Sequence, residues 1–353
     1  MMRALVSLLV LPLLVVPAIA QSDTDIVRAA VEDVFRPAFA DFAAATGALE
    51  TDMGFLCAAP SMQLVMAARA QFRETVLSWS RAELYRLGPV LEDNRSERVL
   101  FWPDRKGVAL RQVQAALVEE DETATTVESL TQKSVALQGL PALEFVLFGT
   151  GSDALSTDAD YRCRFGLAIA GALHQVASEL DAAWQAPDGI TQRLLAPTDA
   201  DPEYRTEREV MEDLTGLLAH GAEIIRDQRL LPFLGRDGAT PKPKSALFWR
   251  SDMSVPAVLA NFEGLDELFG RSGIGEVDAE NAWVSNGIAF EFANAERAGE
   301  RVTAPLAEAL ADPGQKQALD YLVIVTQSLD TLLGENLAAA RGLSVGFSSL
   351  DGD

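Results

Sequence analysis

The sequence predicts an all-α protein built from two antiparallel helical bundles. Apolar residues recur every three or four positions over most of the chain, and alternating, strand-like stretches are scarce. Prolines and glycines stand between the periodic segments, where helices are expected to end. The periodic segments predict helices over residues 26–49, 61–86, 107–119, 123–137, 158–184, 204–230, 255–269, 277–297 and 315–340.

The first predicted helices show this periodicity clearly. Residues 26–49 carry an apolar stripe of Val27, Val31, Val34, Ala38 and Phe42. Residues 61–86 carry a second stripe of Met62, Val65, Met66, Phe72, Val76 and Trp79. The pattern is weaker over 107–119 and 123–137, and it is long and regular over 158–184 and in the later segments. Amphipathic helices joined by short turns predict antiparallel neighbours in a bundle.

A polar stretch over residues 185–202, which contains three prolines, predicts the boundary between the bundles. We expect an N-terminal bundle over 21–195 and a C-terminal bundle over 196–353. A short repeat supports two related halves, because Leu100-Phe101-Trp102 recurs as Leu247-Phe248-Trp249. Each copy follows a Leu/Pro turn and precedes a short charged group, which favours a duplication.

Residues 1–20 predict a secretory signal peptide. Arg3 precedes an apolar run, and Ala18-Ile19-Ala20 has the pattern of a cleavage site. Residue 21 is Gln rather than Cys, which argues against a lipoprotein anchor at that point. We therefore expect an exported protein of the periplasm or cell envelope, with no transmembrane segment after cleavage.

Charge and cysteines narrow the classes of partner and compartment. The formal net charge of -23 disfavours nucleic acid and anionic membranes as partners. It is compatible with cations, with basic partners, or with solubility alone. An oxidising compartment favours pairing of the two cysteines, so we expect a Cys57–Cys163 disulfide, with two buried free thiols as the alternative.

The segment Gly139 to Gly149, G-L-P-A-L-E-F-V-L-F-G, holds one carboxylate in apolar surroundings. A helix that begins near Pro141 is apolar on every side and is expected to be buried, together with Glu144. A buried carboxylate needs a partner. We predict Arg69, which shares the apolar stripe of 61–86, with Arg73 as the second candidate. The pair is either purely structural or part of a functional site.

Other chemistry-bearing residues form few recognisable patterns. His174 and His220 lie on separate predicted helices, and zinc, nucleophile-elbow, P-loop and dinucleotide-binding motifs are absent from the sequence. A carboxylate site for a hard cation or ferric iron stays open, with Glu144 as a candidate ligand, although nothing in the spacing demands it. Asp104 and Arg105 follow a Trp-Pro turn and either orient a ligand or lock the loop to the bundle.

Two polar residues of the second half are further candidates for the polar cluster. Glu291 lies in the apolar segment Ile288–Phe292, in a setting like that of Glu144. Asn261 is a similar polar residue among apolar neighbours. We therefore count both as candidate site residues of the second half.

These motifs together resemble the imelysin family. The segments that carry the resemblance are Phe101-Trp102-Pro103-Asp104-Arg105, the stretch from Ser134 to Glu144, and the ending from Gly342 to Asp353. Gly139 and Glu144 match the Gly and Glu of the family signature G-x-H-x-x-E, and the family His falls on Pro141. A metal site that depends on that imidazole cannot form in this chain.

The resemblance implies an envelope protein of Gram-negative bacteria with two bundles related by duplication and a site in the cleft between them. It also implies a link to iron regulation or uptake. The founding member was described as a peptidase, and a related domain in iron-uptake proteins binds metal through an H-x-x-E pair. Whether this chain has enzymatic activity stays open, because Pro141 replaces the motif His.

The combined prediction is a periplasmic binding or accessory protein in iron acquisition, with iron or another divalent cation as candidate cofactor and iron-transport or envelope proteins as candidate partners. One alternative is a metal-dependent peptidase that uses carboxylate ligands. The other is an envelope protein-interaction module without a ligand. The candidate polar cluster comprises Glu144, Arg69, Asp104, Arg105, Gly139, Asn261 and Glu291.

Overall fold

The computed structural model describes residues 22–104, 106–158, 160–236 and 238–346. Every regular element over these residues is a helix, so the all-α prediction is confirmed. The predicted signal peptide and Arg105 lie outside the described residues. Among the described helices, none is long and apolar enough to cross a membrane.

The N-terminal half is organised around three long helices. The α-helices of this half are α1 (Asp23–Ala29), α2 (Arg36–Ala58), α3 (Met62–Ala82), α4 (Arg95–Val99), α5 (Val108–Glu119), α6 (Val127–Leu130), α7 (Gly139–Phe148), α8 (Tyr161–Gln185) and α9 (Ile190–Leu195). A π-helical segment, Ala30–Phe35, joins α1 to α2. Helix α2 packs against both α3 and α8, and α7 packs between α8 and α3.

The C-terminal half repeats this pattern of long helices and short connections. Its α-helices are α10 (Glu207–Ile224), α11 (Leu231–Leu234), α12 (Ser254–Arg271), α13 (Ala282–Glu300), α14 (Leu306–Ala309), α15 (Pro313–Thr331) and α16 (Ala338–Ala340). A capping box begins α10, where Thr206 and Glu209 satisfy each other's backbone N–H groups. Helix α15 packs against α10 and α13.

The two halves meet where α3 packs against α12. Gly264 permits the close approach, because a Cβ atom at this position would lie 2.2 Å from the carbonyl oxygen of Arg81. The buried Tyr85 hydroxyl then donates to the Gly264 carbonyl at 2.7 Å. The predicted boundary between residues 195 and 196 falls at the end of α9. That boundary and the duplication stay predictions.

The continuous helix predicted for residues 123–137 is wrong. The segment divides into α6 and two short 3₁₀ turns, Glu122–Ala124 and Val135–Leu137. The Thr126 hydroxyl accepts from the Ser129 N–H, and the Ser134 hydroxyl accepts from the Ala136 N–H. Such local side-chain bonds start new turns and compete with a continuing helix.

The predicted disulfide is confirmed. Cys57 and Cys163 are bonded, with their Cα atoms 5.6 Å apart. Cys57 lies in the last turn of α2 and Cys163 in the first turn of α8. The bond therefore fixes the two helices in an antiparallel arrangement beside α7.

Candidate functional site

The first residues of helix α7 determine where the helix begins and how closely it approaches the end of α4. Gly139 has φ +78°, and a Cβ atom there would lie 2.4 Å from the Val99 carbonyl oxygen, so only glycine fits. Pro141 stands in the first turn, where backbone N–H groups have no partner within the helix. The remaining turns bury Glu144, whose exposed fraction is 3%.

Glu144 is bound by a loop from the other half of the chain. Its Oε1 atom accepts from the backbone N–H of Arg250 at 3.1 Å, the backbone N–H of Ser251 at 2.9 Å and the Ser251 hydroxyl at 2.7 Å. The Arg250 guanidinium lies 3.9 Å from Oε2. Burial raises the pKa of Glu144, and these donors together with Arg250 oppose that rise.

The loop from Phe248 to Asp252 has the backbone shape that this contact needs. Phe248 and Asp252 have φ values of 59° and 61°, in the left-handed region that non-glycine residues rarely adopt. The turn points successive N–H groups toward one carboxylate oxygen, as in an anion-binding nest. On the other side, Arg73 donates to the Ser251 carbonyl at 3.2 Å. Two helices of the first half thus hold this strained loop.

The prediction that Arg69 is the partner of Glu144 is wrong. Arg69 donates to the Leu147 carbonyl at 2.8 Å and to the Ser152 hydroxyl at 3.1 Å. It therefore reaches the carboxyl end of α7, where free carbonyl groups favour a cation. Arg69 packs against the predicted helix but contacts a different turn. Arg73, the second candidate, contacts the loop that binds Glu144 rather than Glu144 itself.

Glu144 lines a cavity of about 450 Å³. Both copies of the Leu-Phe-Trp repeat contribute to its wall, so it lies where the two halves meet. Pro141, at the position of the signature His, also lines it. The large apolar residues of the wall are Phe101, Trp102, Leu110, Phe145, Leu247, Phe248 and Trp249. The Trp102 indole donates to the Gln228 carbonyl at 2.9 Å, which fixes one copy of the repeat to the second half.

Asp104 locks its loop to a helix. Its two carboxylate oxygens accept from the backbone N–H groups of Val108 at 2.7 Å and Ala109 at 2.8 Å, at the start of α5. Asp104 also lines the cavity. Arg105, predicted as its neighbour in the site, lies outside the described residues.

Among the described residues, two cations line the same cavity. The Arg250 guanidinium lies 4.4 Å from the centroid of the Trp249 ring and 5.3 Å from that of Phe145. The Lys244 ammonium lies 5.5 Å from the Trp249 centroid. Burial lowers the pKa of Arg250, and the nearby Glu144 opposes that change.

The residues around Glu144 do not fit a bound metal ion. Pro141 offers no ligand atom, and one oxygen of Glu144 already accepts three hydrogen bonds. The guanidinium of Arg250 stands beside the other oxygen, where a metal would meet a positive charge. Over the part of the chain that the structure describes, no group of three or more His, Cys, Asp or Glu side chains is placed to hold a metal.

Asn261 and Glu291 lie apart from Glu144. Asn261 is fully buried and donates to the Ser80 carbonyl at 2.6 Å and to Glu83 Oε1 at 2.7 Å. Glu291 is half-buried and accepts from Ser328 at 2.9 Å. Neither residue lines the cavity. The single polar cluster predicted from the sequence is therefore wrong for these two residues, whose helices place them elsewhere.

Sequence reasoning missed a second buried acid at the junction of the halves. Glu83 receives the Arg229 guanidinium at 2.8 Å and the Asn261 amide at 2.7 Å, and both charged side chains are about 5–6% exposed. It also missed Lys244, Arg250 and Ser251 as site residues. One signal was available, because Arg250-Ser251-Asp252 is the charged group after the second copy of the repeat.

The fold and the site define a class of helical protein in which an aromatic cavity lies between two halves, above a buried glutamate. The sequence model of the imelysin family matches residues 35–334, and the chain belongs to this family. No curated protein matches the chain significantly.

Solved structures have the same fold. An imelysin-like protein from Psychrobacter arcticum 273-4 is 21% identical, and the match covers 94% of this chain and 99% of that one with a TM-score of 0.75. A protein described as an iron-regulated protein A precursor, from Parabacteroides distasonis ATCC 8503, is 13% identical; the match covers 93% and 97% with a TM-score of 0.74. At these sequence identities, the similarity shows a shared fold and no more.

Proposed function

We propose that this imelysin-family protein is exported to the periplasm, where it binds a small ligand in the cavity and serves iron acquisition without hydrolysing peptides. The observation that carries the proposal is the cavity of about 450 Å³ between the halves. Small-molecule sites have this size, mostly apolar walls and a few placed polar groups. Iron is the cargo in this proposal rather than a resident cofactor.

The export and the iron link have separate support. Residues 1–20 have the pattern of a secretory signal, and the disulfide suits an oxidising compartment. The solved structure from Parabacteroides distasonis is described as an iron-regulated protein A precursor. Its likeness along nearly the whole chain supports an iron-linked role here.

The surroundings of Glu144 argue against the peptidase alternative. A metal-dependent peptidase needs a metal-bound water and a base with a free oxygen facing the substrate. Pro141 replaces the signature His, and Glu144 Oε1 is bound by three donors of the loop. Glu144 thus acts as a support for the cavity wall.

One surface favours the interaction module as a second candidate function. Trp283 and Phe290 lie seven residues apart on α13 and are 57% and 60% exposed. Residues at this spacing share one helix face. Exposed aromatic side chains on one face are typical of protein interaction sites.

The proposal is tested by blocking the cavity. Leu110 lines the cavity and is 37% exposed, so the larger side chain of Leu110→Trp should occupy part of the cavity. Val118 lies on the same helix and is 83% exposed, and Val118→Trp is the matched control. We expect equilibrium dialysis against ferric citrate to leave iron bound to wild type and Val118→Trp, with affinity at least about tenfold lower in Leu110→Trp.

Two results would contradict this function. If wild type retains no iron, or if Leu110→Trp retains as much iron as wild type, the cavity is excluded as the iron-linked site. Stoichiometric zinc in the native protein, together with chelator-sensitive cleavage of a peptide library, would establish the peptidase instead.

A further inference from the structure

We infer that the cavity binds a small organic anion with a flat apolar face, held by Arg250 and Lys244 and stacked against the aromatic wall. The inference rests on the proposed function in placing the ligand in this cavity. It goes further by assigning the chemical class of the ligand.

Each of the three acidic residues that line the cavity among the described residues already has partners. Glu144 accepts three hydrogen bonds, and Asp104 accepts two backbone N–H groups at the start of α5. The third acid, Asp227, accepts from Arg226 at 3.0 Å and from Arg236 at 2.8 Å. A cationic ligand would therefore compete with existing donors at each carboxylate, and Glu144 Oε2, which accepts no hydrogen bond from a described residue, faces the Arg250 guanidinium at 3.9 Å.

The cations of the wall are in the opposite situation. Lys244 forms no ion pair with a described residue, and Arg250 approaches a described carboxylate only to 3.9 Å. This is notable in a chain of formal net charge -23, where carboxylates outnumber cations. Two cations without close ion pairs at the wall of one cavity favour an anionic ligand.

Aromatic rings set the position of these cations. The Arg250 guanidinium lies near both Trp249 and Phe145, so two rings restrict its orientation. A guanidinium held in this way presents its planar N–H groups to a carboxylate in two-point contact. Trp249 and Trp102 both line the cavity and are partly exposed, so the wall has aromatic surface that a flat ligand can contact.

A free aromatic carboxylate and its ferric chelate share this chemistry. The free carboxylate is anionic, and so is a chelate in which two such ligands bind one ferric ion; both present a flat ring and suit a cavity of about 450 Å³. In the chelate, iron would enter the cavity as part of a complex whose net negative charge comes from the organic ligands. A chelate would thus bring iron into a site whose carboxylates already have partners.

The test uses 2,3-dihydroxybenzoate, which is a flat anion and also chelates ferric iron, with catechol as the uncharged ring. Isothermal titration of the full mature protein measures the free anion, its ferric complex and catechol in separate arms. The variants are Lys244→Met and Arg250→Met. Lys242→Met is the matched control, because Lys242 lies two positions from Lys244 and does not line the cavity.

We expect the anion or its ferric complex to bind wild type and the Lys242→Met control equally. Each cavity variant should lose about tenfold in affinity, the size expected for one charged hydrogen bond. Catechol should bind at least about tenfold more weakly than the anion. Tighter binding of the ferric complex than of the free anion would identify the chelate as the source.

Equal binding by Lys244→Met and wild type overturns the inference, and Lys244 is exposed, so this variant should fold normally. Failure of both anionic forms to bind wild type also overturns it. If ferric iron from citrate is still retained and is blocked by Leu110→Trp, the proposed function survives and only the ligand class fails. If the anion binds wild type but iron is never retained, the ligand class survives and the proposed iron-linked function fails.

Discussion

Glu83 and Glu144 are carboxylates buried where the two halves of the chain meet, and they are satisfied in different ways. Glu83 is 5% exposed and pairs with the guanidinium of Arg229 at 2.8 Å. Glu144 is 3% exposed and is held mainly by uncharged donors, two backbone N–H groups and the Ser251 hydroxyl. Both contacts join helices of the first half to segments of the second half.

The difference separates a structural link from the support of a site. At Glu83 the acid neutralises the cation, and Asn261 satisfies a further lone pair, so no charge is left for a ligand. At Glu144 the backbone of the loop satisfies the acid, and the Arg250 guanidinium remains at the cavity wall. The same residue type therefore forms a charge-neutral link at one part of the junction and supports the wall of the larger cavity at the other.

Removal of Arg229 should have the largest effect on stability. Arg229→Met leaves Glu83 charged and buried, so we expect a loss of about 3–5 kcal/mol in the free energy of unfolding. Urea denaturation followed by circular dichroism measures the loss. Arg81→Met is the matched control on an exposed pair with Glu263, where we expect about 0.2–1 kcal/mol.

The double variant Glu83→Leu with Arg229→Met sharpens this result. Replacing both charges by apolar groups removes the unpaired acid, so much of the lost stability should return. A single variant as stable as wild type would show that the buried pair is not what joins the halves at this point.

Removal of the Glu144 carboxylate should cost less. Glu144→Ala leaves the N–H groups of Arg250 and Ser251 without their acceptor, and each buried unpaired donor costs about 1–3 kcal/mol. We expect a net loss of about 2–3 kcal/mol by urea denaturation, because the partly exposed loop can relax toward water. Glu144→Gln keeps an acceptor oxygen and is the milder control. An unchanged melting temperature in Glu144→Ala would contradict the role of Glu144 as the support of the loop.

The helices could be predicted from the sequence because their apolar stripes are local. The stripe of 61–86 becomes α3, and the apolar segment after Gly139 becomes the buried α7. The burial of Glu144 follows from the same stretch. The break within 123–137 was missed because it depends on which Thr and Ser hydroxyls bond to nearby backbone groups.

The partner of Glu144 could not be found from periodicity. Arg69 shares the stripe of α3, and periodicity alone cannot tell which turn of α7 it meets. The actual donors lie 106 and 107 residues away, in a loop whose shape depends on left-handed backbone at Phe248 and Asp252. Only the repeat of Leu-Phe-Trp hinted that this loop and the segment around Trp102 are related.

The smallest predicted effect concerns pH and follows from the raised pKa of Glu144. Burial raises the pKa of Glu144 above its ordinary value of 4.5. In the pH range between that value and the raised pKa, the folded protein holds a proton that the unfolded chain releases. The contribution of Glu144 to stability is therefore full below about pH 4.5 and falls as the pH rises through the raised pKa.

Glu144→Gln cannot titrate, so its difference in stability from wild type should change across this range. The change in that difference has at most the slope of one proton, about 1.4 kcal/mol per pH unit. Denaturation of both proteins at a series of pH values from 4 upward measures it, and the subtraction cancels acids such as Asp213 and Asp266, whose pKa values burial also raises. Parallel stability curves would mean that the loop N–H groups and Arg250 fully offset the burial of Glu144. In that case the contrast with Glu83 would reduce to the availability of the Arg250 guanidinium at the cavity wall.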